Sequence, residues 1–349
     1  MRVLHINLSG GGIGVYGRAF DIALQIGFPS HPTSILREVK FSLWSAITLP
    51  LLCVHIAAYI KLNRVNIIVD SCGKCNLPAQ IVIRLAAFFT RIRYVCVVHD
   101  PSPHSGVASS KIKKQIERTL ERSAHQLIVH GEIGARQIRV AFNRIAEILP
   151  HINLQSLVGD ASYRERTEMK NVLFFGALRP NKGLELLPEY ALLLKGRGIN
   201  LTVAGSSSLS KDIMKTSWPK VLKCILGKLK KMPNVAVLER YIDDDEVARL
   251  IKNADAVLLP YKDATQSGVL ALAATMCVPV VATNVGDMGL SIKRYNLGVL
   301  SEYSAQKLFD ATVELSESYS SYPESVKLYN NNVISNESVG KRLKEIIYA

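Results

Sequence analysis

The chain has 349 residues, 48% of them apolar and 21% charged, with a formal net charge of +14. That length suits two domains rather than one, and the composition excludes a disordered or low-complexity chain, since each half can bury a proper core. The positive excess lies mainly in residues 1–150, which hold 18 Lys or Arg against 8 Asp or Glu, while the remainder holds 25 against 21; such a surface suits anionic partners or serves solubility alone.

Val3–Asn7 reads as a buried strand. It is too short for the apolar core of a signal peptide and runs straight into Gly10-Gly11-Gly12-Ile13-Gly14. Glycines between a strand and a helix let a ligand approach the backbone, and the helix start favours negative charge. Gly12 to Gly17 also spells GxGxxG, and Glu38 stands about where a ribose-binding acid would. An NAD-dependent oxidoreductase therefore stays open as an alternative. Val15–Ile26 is amphipathic. Phe41–Ile60 is twenty mostly apolar residues, nearly a membrane-spanning length, but Pro50 interrupts it and Ser42, Ser45, Thr48 and His55 dilute it. The expectation is a buried or membrane-resting helical hairpin. Val65–Asp70, Tyr94–Val98 and Gln126–Val129 are further strands, with helical patterns at Ile112–Ala124 and Ala135–Asn143. Ile112, Ile116 and Leu120 share one helix face beside a stripe of Lys111, Lys114, Arg118 and Arg122, which is a solvated face or a surface for anionic lipid. His99-Asp100-Pro101-Ser102-Pro103 follows an apolar strand, where ligand-facing residues of α/β sheets belong.

Of six cysteines, Cys53, Cys96 and Cys277 lie in apolar runs. The single Cys72-Gly-Lys-Cys75 pair lacks the second pair of a zinc site, so the set reads as reduced and structural, and the compartment as cytosolic. No nucleic-acid module is recognisable.

A polar stretch, Gly159–Lys170, reads as a linker, after which the alternation restarts. Val172–Phe175, Leu201–Ala204, Val235–Leu238, Ala256–Leu259 and Val278–Ala282 are the second set of strands, separated by helical patterns at Leu184–Leu194, Glu246–Lys252 and Val269–Met276. Gly205 closes the second of these strands. In Gly176-Ala177-Leu178-Arg179-Pro180-Asn181-Lys182-Gly183, two cations precede a helix and suit a diphosphate. Gln266-Ser267-Gly268-Val269 opens a helix of small residues whose first N–H groups suit a phosphate. Asp243-Asp244-Asp245 precedes Glu246 in a capping arrangement, and metal is not expected there.

Taken together, the opening glycines, His99-Asp100, Val129-His130-Gly131, Arg179-Pro-Asn-Lys182-Gly183, and Gln266 to Val269 followed by Pro279-Val-Val-Ala-Thr283 resemble the retaining GT-B glycosyltransferases of the GT4 family (group 1), over most of the chain to about residue 300. The resemblance implies two Rossmann-like α/β domains, 1–160 on the acceptor side and 161–330 for the nucleotide sugar, with parallel sheets facing an interdomain cleft. Residues 331–349 are expected to form a helix packing back on the first domain. It implies metal-independent, cofactor-free transfer of a hexose-type sugar from a UDP- or GDP-sugar, with retention. The acceptor would be a lipid-linked or growing surface polysaccharide, at a cytoplasmic site peripheral to an anionic membrane. His99 and Asp100 would lie near the transferred sugar. Arg179 and Lys182 would neutralise the diphosphate, and Gly12 and Gly14 would approach it. Gly205, Gln266, Ser267, Gly268 and Val269 would line the donor site. Two glutamates common in the family are replaced by Ala264 and Leu272, and its usual arginine position holds Ala177. A non-catalytic sugar-nucleotide-binding partner of another transferase is the reading from a different class, separated by measured turnover.

Overall fold

A computed structural model describes residues 2–7, 11–29, 32–36, 45–71, 77–99, 101, 118–119, 121–158, 168–207 and 211–349. They form two compact units, one from the described residues of 2–152 with 334–349, the other from 153–333.

The first unit is built on a six-stranded sheet: β1 (Val3–Asn7), β2 (Pro32–Leu36), β3 (Ile67–Asp70), β4 (Arg93–Val97), β5 (Gln126–Val129) and β6 (Glu147–Ile148). All neighbours pair in parallel, in the order β2-β1-β3-β4-β5-β6. Parallel strands are covered on both faces, which is why β1 and β3 are buried throughout rather than alternately. Pro32 is tolerated because it opens an edge strand. The chain goes from β1 outward to β2, then returns to place β3 on the other side of β1. That reversal opens a crevice at the carboxyl ends of β1 and β3.

Two sequence expectations are corrected here. The glycines are not a loop: Gly11 to Gly14 are the first turn of the helix Gly11–Gly27. The apolar stretch is not a hairpin either, because Ser45–Leu62 is a single helix running through Pro50. Pro50 is its sixth residue, so one intrahelical bond near the entrance is lost and the rest propagates. Among the described residues, no helix is long and apolar enough to cross a membrane. Gly10, residues 41–44, Cys72 and Cys75, Asp100, Lys111 to Gln115 with Ile116, Leu120 and most of the polar linker lie outside the described residues.

The helix Asn336–Tyr348 closes this unit against Gly11–Gly27. The two backbones touch at a pair of glycines: a Cβ on Gly27 would stand 2.5 Å from the Gly340 carbonyl oxygen, and one on Gly340 would stand 2.4 Å from that of Ala23. The last carbonyls of Asn336–Tyr348 have no intrahelical donors. Arg93 on β4 donates to Ile347 at 2.8 Å and Gln126 on β5 donates to Ile346 at 2.8 Å.

The second unit has six parallel strands: β7 (Asn171–Phe175), β8 (Asn200–Gly205), β9 (Val235–Glu239), β10 (Ala256–Leu259), β11 (Val280–Thr283) and β12 (Gly298–Ser301). Their order is β12-β11-β10-β7-β8-β9, so the reversal falls between β7 and β10. Arg179-Pro-Asn-Lys182 follows β7 as a 3-10 turn, and the helix expected from Leu184 begins at Leu187 after a second such turn. Asp243 caps the helix Asp244–Asn253 by accepting from the Glu246 N–H at 2.8 Å. Glu246 does not complete a capping box; it takes both guanidinium donors of Arg240 at 2.6 Å each, and Arg240 holds its carboxyl below the ordinary value.

Candidate functional site

In the first unit, the carboxyl ends of the strands converge on a ring of polar side chains. His99 leaves β4, His130 leaves β5 and His151 follows β6. Tyr16, from the helix Gly11–Gly27, stands edge-on to all three, with ring centroids 4.6, 5.1 and 5.3 Å away. His99 Nδ1 lies 3.2 Å from His130 Nε2, and His99 Nε2 lies 3.3 Å from the Ser71 carbonyl oxygen. His130 Nδ1 faces the Leu149 carbonyl oxygen at 3.1 Å. Asn7, ending β1, donates to the Ser71 carbonyl at 3.1 Å and to the Ile13 carbonyl at 3.2 Å. Deeper still, His5 bridges Asp21 and Ser71, at 3.1 and 2.8 Å. Gly12 and Gly14 therefore stand in the same helix turn that carries Tyr16 and is tied to β1 by Asn7.

The electrostatics of this ring follow from burial. The buried Tyr16 hydroxyl has no hydrogen-bond partner among the described residues, and burial raises its pKa well above the ordinary value. Burial, then the neighbouring His99 and His151, push His130 well below the usual imidazole range. Burial lowers His151 from 6.5 to about 4, against a backbone hydrogen bond that raises it. A histidine held neutral in the fold but free to protonate when unfolded costs stability in acid. Stability should therefore fall as pH drops through the window from about 6.5 to about 4. Melting temperatures measured across that window should show a shallower decline in His151→Asn, and an unchanged slope would count against this burial.

In the second unit the crevice between β7 and β10 gathers a different set. Lys182 holds its ammonium 3.5 Å from the ring centroid of Tyr261, which leaves β10. A cation over an aromatic face is held there without losing its charge. The Tyr261 backbone is pinned by Thr283, whose hydroxyl donates to its carbonyl at 2.5 Å. Ser267 donates to the Tyr261 hydroxyl at 3.4 Å and caps the helix Gly268–Thr275 by accepting from the Leu270 N–H at 3.3 Å. Helix geometry leaves the N–H groups of Gly268 and Val269 without intrahelical acceptors. Gly268 is exposed, Gln266 and Val269 are half-buried, and Val269 Cγ2 lies 3.7 Å from where a side chain on Gly176 would begin. Arg179 is exposed and has no carboxylate partner among the described residues. Gly205 has a packing reason for its identity: at φ 153° its missing Cβ would overlap the Gly176 carbonyl oxygen at 1.8 Å. Ala264 and Leu272, where the family's glutamates would be, are buried at 8% and 2% exposure, Leu272 within an apolar helix.

The fold thus brings Lys182, Ser267, Gly268 and Val269 together in one unit, with Tyr261 beside them. His99, Gly12 and Gly14 belong to the other unit, with Tyr16, Ser71, His130 and His151 around them. The sequence signal for His130 was its place directly after a buried strand; Tyr16, Ser71, His151 and Tyr261 carried none. Among the described residues, no three His, Cys, Asp or Glu side chains converge as metal ligands do.

Residues 169–318 match the family model described as Glycosyl transferases group 1. The chain is similar to the crystal structure of a glycosyltransferase from Rickettsia africae, with a TM-score of 0.70 at 15% identity, covering 99% of this chain and 98% of that one. The fold is GT-B. A second GT-B likeness is to sucrose-phosphate synthase from Thermosynechococcus elongatus, with a TM-score of 0.67 at 15% identity over 100% of this chain and 94% of that one. By sequence, a GDP-mannose:glycolipid 4-beta-D-mannosyltransferase of Xanthomonas campestris pv. campestris is 26% identical over 111 residues. That match spans 32% of this chain and 29% of the relative's length.

Proposed function

We propose that this GT-B protein is a glycosyltransferase that takes its sugar from a nucleotide diphosphate donor, held by the unit of residues 153–333. The observation that carries the reading is the Lys182–Tyr261 pair beside the Ser267-capped helix, inside the segment that matches the glycosyl transferase family. A cation fixed at a helix N-terminus, at the reversal of a parallel sheet, suits a diphosphate. Arg179 is the second cation, and the Gly268 and Val269 N–H groups bind phosphate oxygens. Gln266 and Gly205 complete the donor side.

Within this reading the chain resembles the retaining GT4 enzymes, and retention, metal independence, and a UDP- or GDP-hexose donor belong to the proposal. The two cations supply the charge neutralisation that a metal would otherwise provide. His99, with Asp100 after it, acts at the transferred sugar, and Gly12 and Gly14 admit the donor to the first unit. The acceptor is a lipid-linked or growing surface polysaccharide, reached at the cytoplasmic face of an anionic membrane. The relative's printed glycolipid acceptor is in keeping with that choice.

The test begins with a screen of nucleotide sugars for thermal stabilisation, since a ligand that prefers the folded state raises the melting temperature. With the donor so found, Lys182→Ala should weaken binding about ten- to a hundredfold, the loss of one charge-assisted contact. Unchanged donor affinity in the folded variant would remove Lys182 from the site. A donor that binds without turnover on any glycan or lipid acceptor would favour a non-catalytic role.

A further inference from the structure

The helices Ser45–Leu62 and Leu77–Thr90 enclose an open groove of about 740 Å³. Pro50, Val54, Ala58, Ile81, Leu85 and Phe89 line it. Of these, Val54, Leu85 and Phe89 are 66%, 43% and 67% exposed, and Phe88, packed edge-on against Phe89, is 67% exposed. An apolar face of this kind is rare on a freely soluble surface and marks an interaction site.

Charge says which partner it fits. Phe89 also lines a second cavity, of about 450 Å³, with Arg84, Arg91 and His125. The apolar groove and a cationic pocket thus share one wall. Lys61 lines the groove, and Arg64 is exposed just beyond the same helix. None of Lys61, Arg64, Arg84 and Arg91 pairs with a carboxylate among the described residues. Arg84 is held in place by neutral groups instead: its Nε donates to Ser123 at 2.7 Å and its guanidinium lies 5.1 Å from the Tyr94 ring centroid. The positive potential is felt locally, because burial and then Arg84, Arg93 and Arg144 lower the pKa of His125. A partner protein would need a matching acidic rim around an apolar ridge. A bilayer offers anionic phosphates and acyl chains side by side without further design.

We propose that this face docks the first unit on an anionic lipid bilayer, with an acyl chain lying in the groove against Val54, Leu85 and Phe89 and a lipid phosphate between Arg84 and Arg91. The inference deepens the membrane part of the reading above by naming the surface, and it does not depend on sugar transfer.

The experiment is co-sedimentation of the full chain with vesicles of phosphatidylglycerol and phosphatidylcholine, against phosphatidylcholine alone, with no nucleotide sugar present. The expected result is binding to the anionic vesicles that weakens as salt is raised. Replacing both exposed rings (Phe88→Ser with Phe89→Ser) should weaken binding about tenfold or more, through lost insertion of apolar surface. Lys61→Gln and Arg91→Gln should each weaken it about fivefold, the share of one surface cation. Circular dichroism melts verify that each variant folds. Equal binding to neutral vesicles, or tight binding by the double phenylalanine variant, would overturn the proposal. So would no binding by the wild type, or dimerisation through Phe88 and Phe89 in its place. Displacement by millimolar inorganic phosphate would reassign the pocket to a soluble anion. Because no donor is added, a failed transferase assay leaves this outcome untouched.

Discussion

His99→Ala is expected to lower turnover by about two to three orders of magnitude, the scale set by one preorganised polar group at a reacting centre. His130 Nδ1 faces a carbonyl oxygen, Leu149 O at 3.1 Å, and so must donate there. Its Nε2 then accepts, and His99 Nδ1 at 3.2 Å is the donor. The opposite nitrogen of His99 faces another carbonyl oxygen, Ser71 O at 3.3 Å. His130 thus holds one edge of the His99 ring, and in the proposed reaction the other nitrogen exchanges the long contact with the Ser71 carbonyl for a sugar hydroxyl while the sugar gains oxocarbenium character. Donor affinity should change far less, because the proposed diphosphate contacts are on the second unit. The measurement is turnover at saturating donor beside the donor dissociation constant. A folded variant that loses donor binding yet keeps its saturated turnover would show that His99 has another role.

Gly183→Ala is expected to be among the most destabilising single substitutions in the second unit. Gly183 has φ 70°, and a Cβ there would lie 1.8 Å from the Pro260 carbonyl oxygen. The left-handed backbone alone costs an alanine about 1–2 kcal/mol, and forcing the two segments apart adds about 1–3 kcal/mol. For a unit of this size the sum corresponds to a melting temperature lower by about 10 °C. Gly198 supplies the control. It has φ 68°, nearly the same conformation, but nothing lies within 4 Å of its missing Cβ. Gly198→Ala should therefore show the backbone cost by itself, a drop of a few degrees. Equal melting temperatures for the two variants would mean that the close approach is absent. Because Gly183 fastens the turn bearing Lys182 to the exit of β10, its replacement should also pull Lys182 off Tyr261 and weaken donor binding.

The sheets were legible in the sequence because parallel strands are buried on both faces. Runs such as Tyr94–Val98 and Ala256–Leu259 are continuously apolar, so pattern alone finds them to within a residue or two. The helix Ser45–Leu62 was misread for the converse reason: Pro50 looks like a breaker in the sequence, but near a helix entrance it removes only one bond. The edge strands β2, β6 and β12 were missed: β2 opens on a proline and carries Thr33 and Ser34, β6 has only two residues, and β12 opens on a glycine. At the candidate sites, glycines and cations next to strands point to phosphate chemistry by type and spacing. Tyr16 and Tyr261 do not. Each is an ordinary aromatic in the chain, and its meaning comes only from the rings and cation that the topology brings against it.

The helix Asn336–Tyr348 has a consequence for how the molecule is made. The described residues of the second unit all lie within 153–333, whereas the first unit needs Ile346 and Ile347 to occupy the donors on Arg93 and Gln126. During synthesis, the portion translated first is therefore the portion finished last. Its β4 and β5 ends and the glycine face of Gly11–Gly27 stay uncovered while the ribosome adds the whole second unit. Truncation just before residue 334 should therefore yield a product whose second unit is native and whose first unit is prone to aggregate.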